Sequence, residues 1–196
     1  MNELNDTRIK ILEAAVTVFA QKGYHETRVD DIVAESKKSK GSIYFYFPSK
    51  QDIFLGLIDS FSSLVEKNLS DAIGSSEHGV SQLRTALVEI LHLFGKYKTL
   101  AKIVLVQSVG LGEAFEIRHR AINDRLAGII EKRLAGAVLD GSISPINTEI
   151  TARAWIGALN EIVIRWIYSD ESDLESIIPD VEVFLLNSIG ITNLKK

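Results

Sequence analysis

Apolar residues recur at intervals of three and four positions along almost the whole chain, and this spacing limits the chain to a helical fold. The pattern begins with Ile9, Leu12, Ala15, Val16 and Phe19. Residues so spaced lie on one face of an α-helix, because the helix has 3.6 residues per turn. Only 13 Gly and 3 Pro punctuate the 196 residues, and no segment alternates as a strand does. The sequence therefore predicts an all-α protein.

Start and stop signals divide this pattern into separate helices. Gly23 suits the left-handed residue that ends a first helix, whereas Thr27–Asp30 and Ser49–Asp52 carry the Thr/Ser-x-x-Asp start signature. Segments 74–79 and 140–147 are predicted loops. The predicted helices cover about 6–22, 27–35, 39–46, 49–73, 80–98, 100–110, 113–139, 148–169 and 173–190.

The charge of the chain is unevenly distributed. The formal net charge is -4, yet residues 1–50 hold eight Lys or Arg against seven acids. Residues 36–50 contain four lysines and no acid. This is a local basic patch on an acidic body, and such a patch indicates a polyanionic partner.

Residues 39–50, SKGSIYFYFPSK, combine this charge with an aromatic run. Ser39 is the expected N-cap of a short helix that ends before Pro48, because the residue preceding a proline is biased away from helix. Ile43 and Phe47, four residues apart, are expected to pack inward with Phe45 nearby. A supporting helix followed by two short helices predicts a helix-turn-helix unit, whose last helix enters the DNA major groove.

The remaining side chains of this unit are the candidates for DNA contact. Lys40 and Ser42 are expected nearest the bases, and Tyr44 and Tyr46 can pack their rings while their hydroxyls reach phosphates. Lys50 opens a helix whose dipole opposes its charge, which favours an external anion as its partner. The predicted DNA-binding residues are Thr27, Arg28, Lys37, Lys38, Ser39, Lys40, Gly41, Ser42, Tyr44, Tyr46 and Lys50. The alternatives are core packing for the tyrosines, solvated surface for the lysines and Arg28, and helix capping for Thr27.

Residues 7–55 resemble the signature of the TetR family of transcriptional repressors. The matching positions are Gly23-Tyr24, Thr27, Ile32-Val33 and the run Ser39-Lys-Gly-Ser-Ile-Tyr-Phe-Tyr-Phe-Pro-Ser-Lys-Gln-Asp-Ile53. The resemblance implies a homodimer of all-helical subunits with an effector domain that varies between members. One segment departs from the family pattern: the turn usually reads Ala-Gly-Val, whereas this chain has Ser36-Lys37-Lys38. Lys37 thus replaces a glycine that often takes positive φ, which is unusual for lysine.

The predicted organisation is an N-terminal three-helix helix-turn-helix DNA-binding domain, 1–48, and a C-terminal helical effector-binding and dimerisation domain, 49–196. Polar and aromatic side chains that interrupt the apolar helices of the second domain are the candidate effector residues, although each can also be a surface or core position. They are His92, Gln107, Phe115, Arg118, His119, Trp155 and Asn160. The last two predicted helices are expected to form the dimer interface, through Ala154, Gly157, Ala158, Val181, Phe184 and Leu185.

These observations predict a cytoplasmic, ligand-responsive repressor that is released from double-stranded operator DNA by a small hydrophobic effector. The C-terminal half is loosely similar to TetR-family members that regulate fatty-acid metabolism through acyl-CoA, and a drug-like compound is the alternative effector. No cofactor or metal site is expected, since the chain has no Cys and its four His show no ligand spacing. No membrane span is expected, since no apolar run approaches ~20 residues, and no enzyme activity is expected, since no catalytic motif occurs. The alternative function is a helical small-molecule carrier or protein-interaction module with a decayed DNA-binding unit.

Overall fold

The computed structural model describes residues 3–74, 79–169 and 174–192, and this part of the chain contains helices and no strand. Most of the predicted loop at 74–79 therefore lies outside the described residues. The α-helices are α1 Glu3–Glu26, α2 Val29–Ser36, α3 Lys40–Tyr46, α4 Lys50–Gly74, α5 Val80–Lys96, α6 Lys98–Lys102, α7 Glu113–Leu139, α8 Thr148–Tyr168 and α9 Ile178–Asn187. None of the described helices is long and apolar enough to cross a membrane.

The structure confirms the all-α prediction and several predicted helix ends. Gly23 interrupts α1 with a φ of 74° and a ψ of 170°. The Ser39 hydroxyl caps α3 by accepting the Ser42 N–H at 3.0 Å. The predicted start of α2 was one residue early: the N-cap is Arg28, whose N–H donates to Asp31 Oδ2 at 2.8 Å. Thr27 instead turns its hydroxyl back toward α1.

The helix predicted at 100–110 is also different in detail. The structure has the short α6 followed by one turn of π-helix, Ile103–Gln107. Ile103, Val104 and Leu105 are consecutive and all buried, so the sequence carries no spacing there that could separate a π-turn from an α-helix. Isolated π-turns within helical segments are frequent at functional sites.

The chain divides into two compact units, one of Met1–Ser63 with Thr99–Arg118, and one of Leu64–Lys98 with His119–Lys196. The first unit is thus larger than the predicted domain 1–48, because it also contains the start of α4, the π-turn and the start of α7. Its core is aromatic: Phe19 and Phe115 each meet Phe54 edge-on, with ring centroids 5.1 and 5.5 Å apart. The core of the second unit includes the buried residues Leu83, Leu87, Ile130, Leu134, Trp155 and Leu159.

The turn between α2 and α3 keeps the backbone that a glycine would favour. Lys37 has φ 54° and ψ 28°, the left-handed conformation, and is the one non-glycine residue with positive φ in the described chain. The next residue is fixed by a hydrogen bond from the Lys38 N–H to Ser36 Oγ at 3.3 Å. The turn therefore has the backbone conformation expected for a glycine at position 37, and Lys37 adopts it at a steric cost.

Replacing Lys37 with glycine should stabilise the protein. The left-handed conformation costs an L-residue about 1–2 kcal/mol, part of which the greater chain entropy of glycine offsets. We expect Lys37→Gly to raise the free energy of unfolding by about 0.5–1 kcal/mol, or the melting temperature by about 1–4 °C. Lys38→Gly removes the same charge at a position without positive φ and should not stabilise. Thermal unfolding followed by circular dichroism compares the two, and an equal effect would contradict the strain.

Candidate functional site

The recognition helix α3 is held in the first unit by two buried side chains. Ile43 is fully buried and Phe47 is 4% exposed. Phe47 lies against the backbone of α4, since a Cβ added at Gly56 would come within 2.7 Å of its ring. From the other side, the Arg8 guanidinium lies 5.4 Å from the centre of the Phe47 ring. These contacts orient the opposite face of α3 toward solvent.

That outward face carries most of the predicted DNA-binding residues of α3. Lys40, Gly41 and Tyr44 are exposed, and Ser42 and Tyr46 are half-buried. A Cβ at Gly41 would meet nothing within 4 Å, so the packing of the described chain does not require glycine there. Close approach of an external partner is a reason for it. The face is thus polar, cationic and aromatic at once.

Two lysines in the turn add charge to this surface. Lys37 is exposed and Lys38 is half-buried. Their ammonium groups make no hydrogen bond or ion pair within the described residues, so both are available to phosphates. Arg28, at the start of α2, is exposed as well.

Lys40 lies on the same face but already has an acidic neighbour. Its Nζ is 2.6 Å from Asp30 Oδ1, and both side chains are exposed. This hydrogen bond to the carboxylate raises the pKa of Lys40. A second exposed pair joins Lys22 Nζ to Asp31 Oδ1 at 2.7 Å, and the bond from Lys22 lowers the pKa of Asp31. Asp30 and Asp31 of α2 are therefore paired with lysines.

Thr27 and Lys50 are both bound to backbone within the first unit. Thr27 is 1% exposed and its hydroxyl donates to the Gly23 carbonyl at 2.7 Å. The Lys50 ammonium donates to the carbonyls of Tyr24, His25 and Thr27 at 2.7, 3.2 and 2.9 Å. It also lies 4.4 Å from the centre of the Tyr24 ring. The chain itself thus supplies the partner of Lys50, and the expectation of an external anion is not needed to explain this lysine.

The structure places Phe45 differently from the sequence prediction. Phe45 was expected beside the inward anchors, yet its side chain is 74% exposed. Residues 43 and 45 lie about 200° apart around a helix, so a helix that buries Ile43 turns residue 45 outward. Hydrophobicity alone misled the prediction, whereas the helical angle would have shown the exposure.

The predicted effector residues in the first unit serve its packing. The Gln107 amide donates to the Phe19 carbonyl at 3.2 Å, whereas its own oxygen is buried with no hydrogen-bond partner in the described structure. Phe115 is 2% exposed and meets the Tyr24 ring edge-on, with centroids 5.6 Å apart. Arg118 pairs with Asp59 at 3.1 Å.

The predicted effector residues in the second unit do not form one cluster of contacts. His92 Nδ1 lies 3.3 Å from Glu175 Oε1, and both side chains are exposed. Burial lowers the pKa of His119, which favours its neutral form. Trp155 is buried and its indole N–H donates to Ser188 Oγ at 3.0 Å. Asn160 Nδ2 donates to Asn123 Oδ1 at 3.3 Å.

Asn160 is the one predicted effector residue that lines a cleft between α7 and α8. The cleft has a volume of about 290 Å³. Each helix contributes four residues at the spacing i, i+3, i+4 and i+7, and the lining is Arg120, Asn123, Asp124, Ala127, Arg153, Ile156, Gly157 and Asn160. Sequence reasoning missed Arg120 and Arg153, although the shared spacing within the two helices was visible. No group of three potential metal ligands occurs in the described residues.

The predicted dimer residues separate into two groups. Ala154, Gly157 and Phe184 are exposed and Ala158 is half-buried, as an interface requires. Val181 and Leu185, at 6% and 1% exposure, lie inside their own subunit. These two assignments are corrected: α9 carries apolar residues on both faces, and its exposed large apolar side chains are Val183 and Phe184, at 43% and 61% exposure.

Lys50→Met should lower stability and leave the salt dependence of DNA binding nearly unchanged. The methionine keeps the length of the side chain, but three carbonyls lose their donor, which we expect to cost about 1–3 kcal/mol. Each phosphate contact contributes about −0.9 to the slope of log affinity against log salt concentration. A Lys50 bound to phosphate in both subunits would therefore flatten the slope by about 1.8 on mutation. Lys38→Met is the matched control and should flatten it. Fluorescence anisotropy at several salt concentrations and thermal unfolding give both readouts, and the reverse pattern would contradict the capping role.

Comparison with known proteins agrees with this geometry. Residues 11–57 match the model of "Bacterial regulatory proteins, tetR family". The Bacillus subtilis fatty acid metabolism regulator protein is 25% identical over 199 residues, which cover 96% of this chain and 98% of that protein.

Solved structures share the fold at low identity. The crystal structure of FadR from Bacillus subtilis in complex with stearoyl-CoA has a TM-score of 0.83 at 22% identity, and covers 92% of this chain and 98% of its own. A TetR-family transcriptional regulator from Syntrophomonas wolfei has a TM-score of 0.85 at 20% identity, and the match covers 98% of this chain and 99% of that one. The helix-turn-helix segment thus matches the tetR family of bacterial regulatory proteins, and along nearly its full length the chain is similar to a transcriptional regulator, which supports a DNA-binding regulatory function.

Proposed function

We propose that this protein is a homodimeric repressor in the cytoplasm that leaves its operator when it binds a long-chain acyl-CoA. The observation that carries the proposal is the solvent-exposed surface of α3, on which Lys40, Gly41 and Tyr44 are exposed while Ile43 and Phe47 are buried. Such a face combines cations for phosphates with side chains that can reach base edges.

The turn before α3 argues against the carrier or interaction module with a decayed DNA-binding unit. The unusual Ser36-Lys37-Lys38 sequence was the feature that favoured it. Lys37 adopts the left-handed conformation, with φ 54°, so the turn still connects α2 to α3 as a glycine-containing turn would. The unpaired ammonium groups of Lys37 and Lys38 also fit a surface that binds phosphates.

Exposed apolar side chains on α8 and α9 support a homodimer through these two helices. Ile150 and Tyr168 on α8 are 64% and 66% exposed, and Phe184 on α9 is 61% exposed. Gly157 and Ala154 are small and exposed, which allows a second helix to approach closely. A two-fold axis would bring the same two helices of each subunit together and present two copies of α3 to the DNA.

Phe184→Glu should convert the dimer to monomer. A buried, unpaired charge at an interface is costly, and large aromatic side chains contribute much of the binding energy of such interfaces. Leu139→Glu is the matched control, because Leu139 is 88% exposed at the end of α7 and outside this face. Sedimentation velocity should show a monomer for Phe184→Glu and a dimer for the control. If both variants sediment as dimers, the interface lies elsewhere.

The class of effector is inferred from the relatives and from the cleft between α7 and α8. The Bacillus subtilis FadR structure contains stearoyl-CoA, and a cleft lined by Arg120 and Arg153 offers cations to the phosphates of such a ligand. Arg153 is paired with Asp124 and Glu149, whereas Arg120 makes no ion pair in the described chain. At about 290 Å³ the cleft holds one part of an acyl-CoA, so the apolar side chains around it would have to move apart for the acyl chain.

Release of DNA by stearoyl-CoA tests the proposed function. A duplex selected from random DNA by the protein is titrated with stearoyl-CoA, with stearate and with free CoA as controls, and binding is followed by fluorescence anisotropy. We expect release by stearoyl-CoA alone. Arg120→Gln should raise the concentration needed roughly fivefold to tenfold, through loss of a charge-assisted hydrogen bond. Arg165→Gln, on an exposed site of α8, should not. No release by any of the three would favour a drug-like effector instead.

A further inference from the structure

Phe45 is a large apolar side chain that the described chain leaves uncovered. It is 74% exposed in the last turn of α3, whereas Ile43 and Phe47 are buried. A surface phenylalanine of this exposure contributes little to folding, because its apolar area stays in water. The residue also belongs to the helix that is proposed to face DNA, α3. We therefore look for the role of the Phe45 side chain in the complex with DNA.

The ring of Phe45 is held in a defined orientation. Its centroid lies 5.0 Å from that of Tyr46, and the two ring planes are perpendicular. Edge-to-face pairs of this kind are favourable, and a phenylalanine has only two side-chain torsions to fix. The ring is thus presented to solvent with little further entropy to lose on binding.

The charge around Phe45 restricts what can cover it. Residues 36–50 carry four lysines and no acid, so the partner is a polyanion that also offers an apolar group. On the base edges of the DNA major groove, the apolar group is the C5 methyl of thymine. A protein partner with a purely apolar surface would leave the lysines without counter-charges.

We propose that Phe45 determines operator sequence by packing on the C5 methyl of a thymine in each half-site. The inference rests on the proposed DNA-binding function and adds to it a residue that reads sequence through apolar contact. Lys37 and Lys38 contribute to affinity for any DNA, whereas Phe45 contributes to the choice of base.

The test removes the methyl group and the ring separately. The wild-type protein selects a duplex of about 30 bp from random DNA, and each thymine is then replaced by deoxyuridine, which keeps all hydrogen bonds and loses only the methyl. We expect one thymine per half-site at which the replacement weakens wild-type binding about fourfold, as for the loss of one buried methyl. Phe45→Ala should bind more weakly and be insensitive to deoxyuridine at that position. Phe45→Leu, still apolar, should keep part of the sensitivity.

Two controls separate the possible outcomes. Tyr44→Phe removes a hydroxyl on the same face and should leave the deoxyuridine effect unchanged. Circular dichroism should show that Phe45→Ala folds as the wild type does, since substitutions at exposed sites usually change stability by about 0.5 kcal/mol or less. If the duplex is selected but Phe45→Ala retains the full deoxyuridine effect, the proposal is overturned while DNA binding stands. If no duplex is selected, the proposed function itself fails.

Discussion

The C-terminal end of α1 depends on hydrogen bonds from side chains elsewhere in the first unit. A helix leaves its last carbonyls without partners, and the kink at Gly23 adds to their number. Lys50 covers three of the carbonyls that follow the kink, and Thr27 covers that of Gly23. One turn earlier, Gln107 donates to the carbonyl of Phe19. Through these bonds the start of α4 and the π-turn are fixed to the helix that supports α2 and α3.

The recognition helix depends in turn on that support. With seven residues, α3 is far shorter than the ~12–15 residues at which isolated helices become even marginal in water. Its stability therefore comes from Ile43 and Phe47, and from the Ser39 cap. The same geometry explains its surface, because two inward anchors four residues apart leave the intervening side chains to solvent.

The sequence was sufficient for the all-α fold and for the helix-turn-helix unit, because periodicity, caps and the motif around Tyr44 all report local structure. It was insufficient where a side chain has a distant partner. Lys50 and the Tyr24 carbonyl are 26 residues apart, and Gln107 and the Phe19 carbonyl are 88 apart. The two faces of α9 could not be distinguished either, since both are apolar. The cleft at Arg120 and Asn160 is lined by two helices: the sequence shows the matching spacing within each helix, but not that the two helices pack against each other.

Lys40 and Lys50 both have partners within the protein, but those partners differ in how easily a phosphate of DNA could replace them. The pair of Lys40 with Asp30 is exposed on both sides, and such pairs contribute only about 0–1 kcal/mol. A phosphate offers more than this to a cation in the groove, so Lys40 can exchange Asp30 for DNA at little cost. Lys50 has three carbonyl acceptors, and each ammonium proton has one. Moving it to a phosphate would strip the end of α1 of its donors. The number and burial of the existing bonds, rather than the lysine itself, therefore decide which cation serves the DNA and which serves the fold.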